Sequence, residues 1–149
     1  MKGIGGRAFA IVMFFLYLLV MYSEAVVSQE LSDQREIISA TDEFVDKIID
    51  SREVTDAMVR EYEARLASYS SLVTYEVSRE MRVLEPDSMN SGEHVPSYIV
   101  ADTNTRYNQG DLVVVRVKER NYGSGMSFVH SIFSIFVPKL DIRIADRVR

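Results

Sequence analysis

The chain has 149 residues, no cysteine and a formal net charge of −5, which allows one domain beside a short terminal element and excludes disulfides, thiolate nucleophiles and cysteine-based metal sites. The first 24 residues carry +1 through Lys2, Arg7 and Glu24, which leaves −6 for the rest. Such an acidic remainder argues against nucleic acid or an anionic lipid surface as the main partner.

The stretch Ala8–Tyr22 holds fifteen consecutive residues with no charge, proline or glycine. Crossing a hydrocarbon core takes about 20 helical residues, a length reached if the helix runs on through Ser23 and Glu24 to Val27. A transmembrane helix is therefore expected over 8–28, with Glu24 at the outer interface. Lys2 and Arg7 make residues 1–7 a short cytoplasmic leader by the positive-inside rule, and residues 29–149 become an extracytoplasmic domain. The alternative is a cleaved signal peptide on a secreted or anchored binding module, since Ser23-Glu24-Ala25 places small residues at −3 and −1 of a cut after Ala25. Both readings put the bulk of the chain outside. An exported domain without disulfides fits a bacterial envelope protein.

From Val26 to Ser51 the pattern turns amphipathic, with Leu31, Ile37, Ile38, Thr41, Phe44, Val45, Ile48 and Ile49 on one face. Asp42, Glu43, Asp46, Lys47 and Asp50 line the other, and Glu43 and Lys47 stand at i, i+4. No proline or glycine falls between Tyr22 and Leu31, so one long helix is expected, half in the membrane and half in the domain. Thr55 is the expected N-cap of a second helix, in which Met58, Val59, Tyr62, Leu66 and Tyr69 form the apolar face.

The period then falls to two. Val73, Tyr75, Val77, Met81 and Val83 alternate with polar residues over Leu72–Leu84, and Arg79 breaks the apolar phase. Glu85–Pro96 reads as an exposed loop, Tyr98–Ala101 as a short strand and Asn108–Asp111 as a turn. Asp111–Arg120 is a β-branched strand, and Asn121–Gly125 a turn. Phe128–Val137 is expected to be a short helix ended by Pro138, and the alternation of Leu140, Ile142 and Ile144 closes the chain with a strand. The fold class is α+β, a small antiparallel sheet on a helical layer. The tyrosines at 62, 69 and 75 are expected between helices and sheet, with their hydroxyls at the rim.

Residues with the chemistry of a catalytic or metal site do not assemble. His94 and His130 each lack a second histidine at ligand spacing, and Asn121-Tyr122-Gly123-Ser124-Gly125 lacks the lysine of a phosphate loop. Asp42, Asp46 and Asp50 read as a solvated face. No catalytic residue, cofactor, metal or small-molecule substrate is expected, and an enzyme least of all.

The order of these parts carries a resemblance. A basic, glycine-containing leader (Lys2-Gly3-Ile4-Gly5-Gly6-Arg7) runs into an apolar helix, which continues unbroken into an amphipathic half and then a small α+β head. This resembles the pilin-like proteins of type IV filament systems, most nearly the TadE-like minor pilins of tight-adherence pilus loci. Thr55-Asp56-Ala57-Met58, the strand at 73–83 and Gly110-Asp111-Leu112-Val113-Val114-Val115 are also similar to exported domains encoded in such clusters. The resemblance implies insertion in the bacterial cytoplasmic membrane and trimming by a prepilin peptidase between Gly6 and Arg7. It also implies partners among other pilin-like subunits or assembly proteins, met through Phe15, Leu19 and Glu24. Ile11 stands where those pilins carry a glutamate, and Arg7 is unusual as a first mature residue, which favours a minor, initiating or accessory role over that of a major subunit.

Overall fold

A computed structural model describes residues 4–69, 72–86, 94–101 and 106–149. One helix, α1 (Ile4–Ser51), runs 48 residues without interruption, about 72 Å at the helical rise. Beyond Gly6 it contains neither proline nor glycine, so nothing breaks the i→i−4 ladder. It stops where Arg52 turns left-handed at φ 57°. The Arg52 carbonyl accepts the Tyr107 N–H at 2.8 Å and its guanidinium donates to the Arg149 carbonyl at 3.0 Å, which ties the helix end to two distant parts of the chain.

The second helix, α2 (Asp56–Leu66), begins as expected. Thr55 is extended and its hydroxyl accepts the Met58 N–H at 3.3 Å. Tyr62 of α2 stacks on Phe44 of α1 at 4.4 Å between ring centroids. It is fully buried, not a rim residue, and its hydroxyl finds Thr41 at 2.8 Å. Tyr75 does reach the rim and donates to Glu63 at 2.7 Å.

Four strands and a third helix complete the head in the order β1 (Leu72–Pro86), β2 (His94–Ala101), β3 (Leu112–Asn121), α3 (Ser124–Phe133) and β4 (Asp141–Arg147). The sheet order is β2-β1-β3-β4 and every pair is antiparallel. The long β1 serves both neighbours, pairing with β3 over its first part and β2 over its last. Val77, Val115 and Ile144 stand in one cross-strand row, and Tyr75, Val117 and Ile142 in the next. Those side chains meet Ile37, Ala40, Phe44, Val45 and Ile48 of α1 to form the core, so one helix and one sheet face supply most of the apolar burial.

Three further expectations need correction. The loop expected over Glu85–Pro96 is shorter: Glu85 and Pro86 extend β1, and His94 opens β2; residues 87–93 lie outside the described residues. The helix expected over Phe128–Val137 begins four residues earlier and ends at Phe133. Ser134, left-handed at φ 54°, stops it by donating to the His130 carbonyl, so Pro138 plays no part. Its first turn includes Gly125, which lies against α1: a Cβ there would stand 3.4 Å from Val26. Finally, Leu31 is 41% exposed whereas Glu30 and Asp33 are 4% and 8% exposed. The buried stripe of α1, traced back from Ile37 in steps of four and three, lands on these two acids.

The chain direction sets where everything sits along α1. Tyr107, just before β3, is bonded to Arg52 at the far end of α1, and Glu119, near the end of β3, meets Glu30. β3 therefore runs back along α1 toward its apolar half, and α3 follows at the level of Tyr22 and Val26.

Candidate functional site

Among the described residues, the apolar half of α1 has almost no partner inside the molecule. Phe9 is 67% exposed and Phe15 64%. It is long and apolar enough to cross a membrane, and such a stretch is stable only where lipid or other helices cover it. Gly6, Arg7, Phe15 and Glu24 all lie exposed on this helix, and Leu19 is half-exposed. A Cβ at Gly6 would meet nothing within 4 Å. These residues share one element, and among the described residues no second element of the head covers Gly6, Arg7 or Phe15.

Contact between the head and this half of α1 begins at its last turns. The Phe128 ring sits edge-on to the Tyr22 ring at 6.2 Å, Gly125 abuts Val26, and Ser23 is buried. Past α3 the chain returns to α1, where Ile135 closes a shallow, mostly apolar groove with Ser23, Glu24, Val27, Ser28 and Leu31. His130 is exposed and its Nδ1 lies 2.8 Å from the Ile135 carbonyl; it shapes the end of α3.

Directly behind this collar lies a group of acids that pattern reading missed. Glu119 Oε2 accepts the Leu140 N–H at 3.0 Å and the Gln34 amide at 3.1 Å. Gln34 also donates to the Pro138 carbonyl at 3.0 Å, and Gln29 to Asp33 at 2.6 Å. Burial pushes the Glu30 carboxyl up to about 7, reinforced by its hydrogen bond to Glu119 and by the charges of Glu119 and Asp33. As two carboxylates the pair would only accept, and Glu30 Oε1 and Glu119 Oε1 are left without a donor. A proton on Glu30 gives the pair a donor, in keeping with the upward shift of that carboxyl. The arrangement joins α1 to the β3–β4 end of the sheet at the neck. The signal was present in the residues: Glu119 continues the inward phase of Val113, Val115 and Val117, and Glu30 continues the stripe of α1.

The second buried charge pair lies at the opposite end. Arg79, which broke the apolar alternation, is 3% exposed and bonds Asp111 at 2.6 Å. Asp111 also accepts the Asn108 N–H at 2.8 Å, and the Arg79 guanidinium lies 5.4 Å from the Tyr107 ring centre. This cluster locks the entry to β3 around Gly110, whose φ of 94° suits glycine.

Comparison with family models, with curated proteins and with solved structures finds no match. Function is therefore read from the geometry: a rod bare over its apolar half, and a head built around its other half.

Proposed function

We propose that the protein is a single-pass membrane subunit that acts in assembly, a pilin-like protein of the minor pilin or pseudopilin kind serving a surface filament or secretion apparatus. The observation that supports this most is the continuity of α1, since the same 48-residue helix is bare at one end and forms the core of the head at the other. A displacement or rotation of the membrane half is thereby transmitted rigidly to the head, which suits a subunit that packs by its helix and displays its domain. In this reading Lys2 and Arg7 lie on the cytoplasmic side and the head outside. Phe15, Leu19 and Glu24 face sister helices.

The rival, an exported binding module freed by a cut after Ala25, is less well supported. Such a cut removes Ser23 and Tyr22 from beneath α3, together with the Tyr22–Phe128 contact.

Replacing Phe15 or Leu19 with Asp tests the proposal. A charge at mid-membrane costs about 2.5–3.5 kcal/mol, and the side chain no longer packs against a neighbour. Native electrophoresis of membranes should show the higher-order species lost, while amide exchange shows a head as protected as in the parent. Normal assembly by either variant would refute the proposal.

A further inference from the structure

We infer that α3 and the turn after it lie in the boundary layer of the lipid bilayer, so that the head rests on the membrane through an interfacial helix instead of standing clear of it. This inference rests on the single-pass reading above.

Three independent features place lipid there. The first is level. About 20 residues counted from Ala8 end at Val27, and the α1 residues that α3 touches, Tyr22 and Val26, fall inside that count. Whatever covers the last turn of the span must also meet α3.

The second is composition. From Tyr122 to Pro138 the sequence holds no Asp, Glu, Lys or Arg, part of the longest such run in the chain. Met126 and Val129 turn inward and are buried, yet Phe128, Ile132 and Phe133 remain 49%, 47% and 37% exposed and Phe136 is 70% exposed. Beside its buried face the helix carries a second apolar flank, Phe128 and Ile132, while Ser124, Ser127, His130 and Ser131 occupy the rest of its exposed surface. The outer apolar surface adjoins Tyr22, so it is continuous with the bare half of α1. Water is a poor solvent for such a patch, and the acyl–headgroup boundary is a good one.

The third is the flanks. Lys139 and Arg120 bracket the run, and the Lys139 ammonium donates to the Arg120 carbonyl and lies 5.1 Å from the Tyr122 ring centre. Two cations and the tyrosines at 22 and 122 are the side chains that favour headgroup depth. With an acidic chain overall, attachment depends on apolar insertion and not on anionic lipid.

Spin labels on single cysteines test this in the full chain, which has no cysteine of its own. The sites are Phe128→Cys, Ile132→Cys and Phe136→Cys, all exposed so that a label leaves the core intact, with the exposed Phe14→Cys as the lipid reference and the exposed Asn108→Cys as the water reference. Each labelled chain is reconstituted in phosphatidylcholine vesicles, and its accessibility to oxygen and to a water-soluble nickel chelate is measured by power saturation. The expected oxygen-to-nickel ratio at 128, 132 and 136 is several-fold above that at 108 and below that at 14. If these three match 108 while 14 reads lipid, the head stands clear of the bilayer and this inference fails alone. Shielding from both reagents, with dipolar broadening between chains, means that a second copy covers the patch, and this also overturns it. A water-like signal at 14 removes the single-pass reading and this inference with it.

Discussion

Arg79 and Asp111 form an ion pair withdrawn from water, joined across 32 residues of chain. Removing one partner of such a pair leaves a buried charge uncompensated and costs about 3–5 kcal/mol. Asp111→Ala should therefore lower the unfolding free energy of the full chain in detergent by that amount, measured by urea titration of tryptophan-free near-UV dichroism. Arg79→Met combined with Asp111→Leu should recover much of the loss, because neither charge is then stranded. Glu30 gives a second effect with a definite sign. Its folded carboxyl titrates near 7 against an ordinary value of 4.5, so between those values the folded state holds a proton that the unfolded chain has released. The stability this group contributes is complete below the unfolded value and is lost as pH rises toward 7. The exposed Glu43 and Asp141 are shifted the opposite way, by Arg65 and Arg116 respectively, and act only at more acid pH. Unfolding titrations of the parent should thus lose stability as pH rises through this interval, and Glu30→Gln should flatten the slope. An unchanged slope in that variant would show that Glu30 does not carry the proton in the folded state.

At the scale of elements, the N-cap of α2 is the simplest local test. Thr55→Ala removes the acceptor for the Met58 N–H and should cost about 1 kcal/mol by the same titration. The cap, like α1 and the β1 and β3 strands, was legible because each rests on local chemistry: a capping hydroxyl, an unbroken helical period, an alternation of β-branched residues. What was not legible depended on distant partners. Ser124-Gly125 spells a turn in isolation, yet both residues open α3, with Gly125 set against Val26 of α1. Glu30 and Asp33 were invisible to a search for apolar periodicity, which discards any acid on the buried stripe. Arg79 was visible as a break in the pattern, but its partner could not be read from spacing. Of the candidate site, the bare half of α1 was apparent in the residues, and the collar of α3 against it was not.

At the scale of the molecule, the protein is a rod of about 72 Å with a head wrapped around one half of it. The head holds its own core on Ile37, Phe44, Val45 and Ile48, while the other half of the rod offers apolar surface that the described residues leave uncovered. Retention of that half is the condition on which anchoring, assembly and the lipid contact of α3 all depend. The intact mass of the native protein, compared between membrane and extracellular fractions, tests it most directly. An anchored subunit gives a detergent-extracted species beginning at Met1 or, after processing, at Arg7. A soluble species beginning at Val26 would mean that the apolar helix is discarded, and the assembly reading would fall with it.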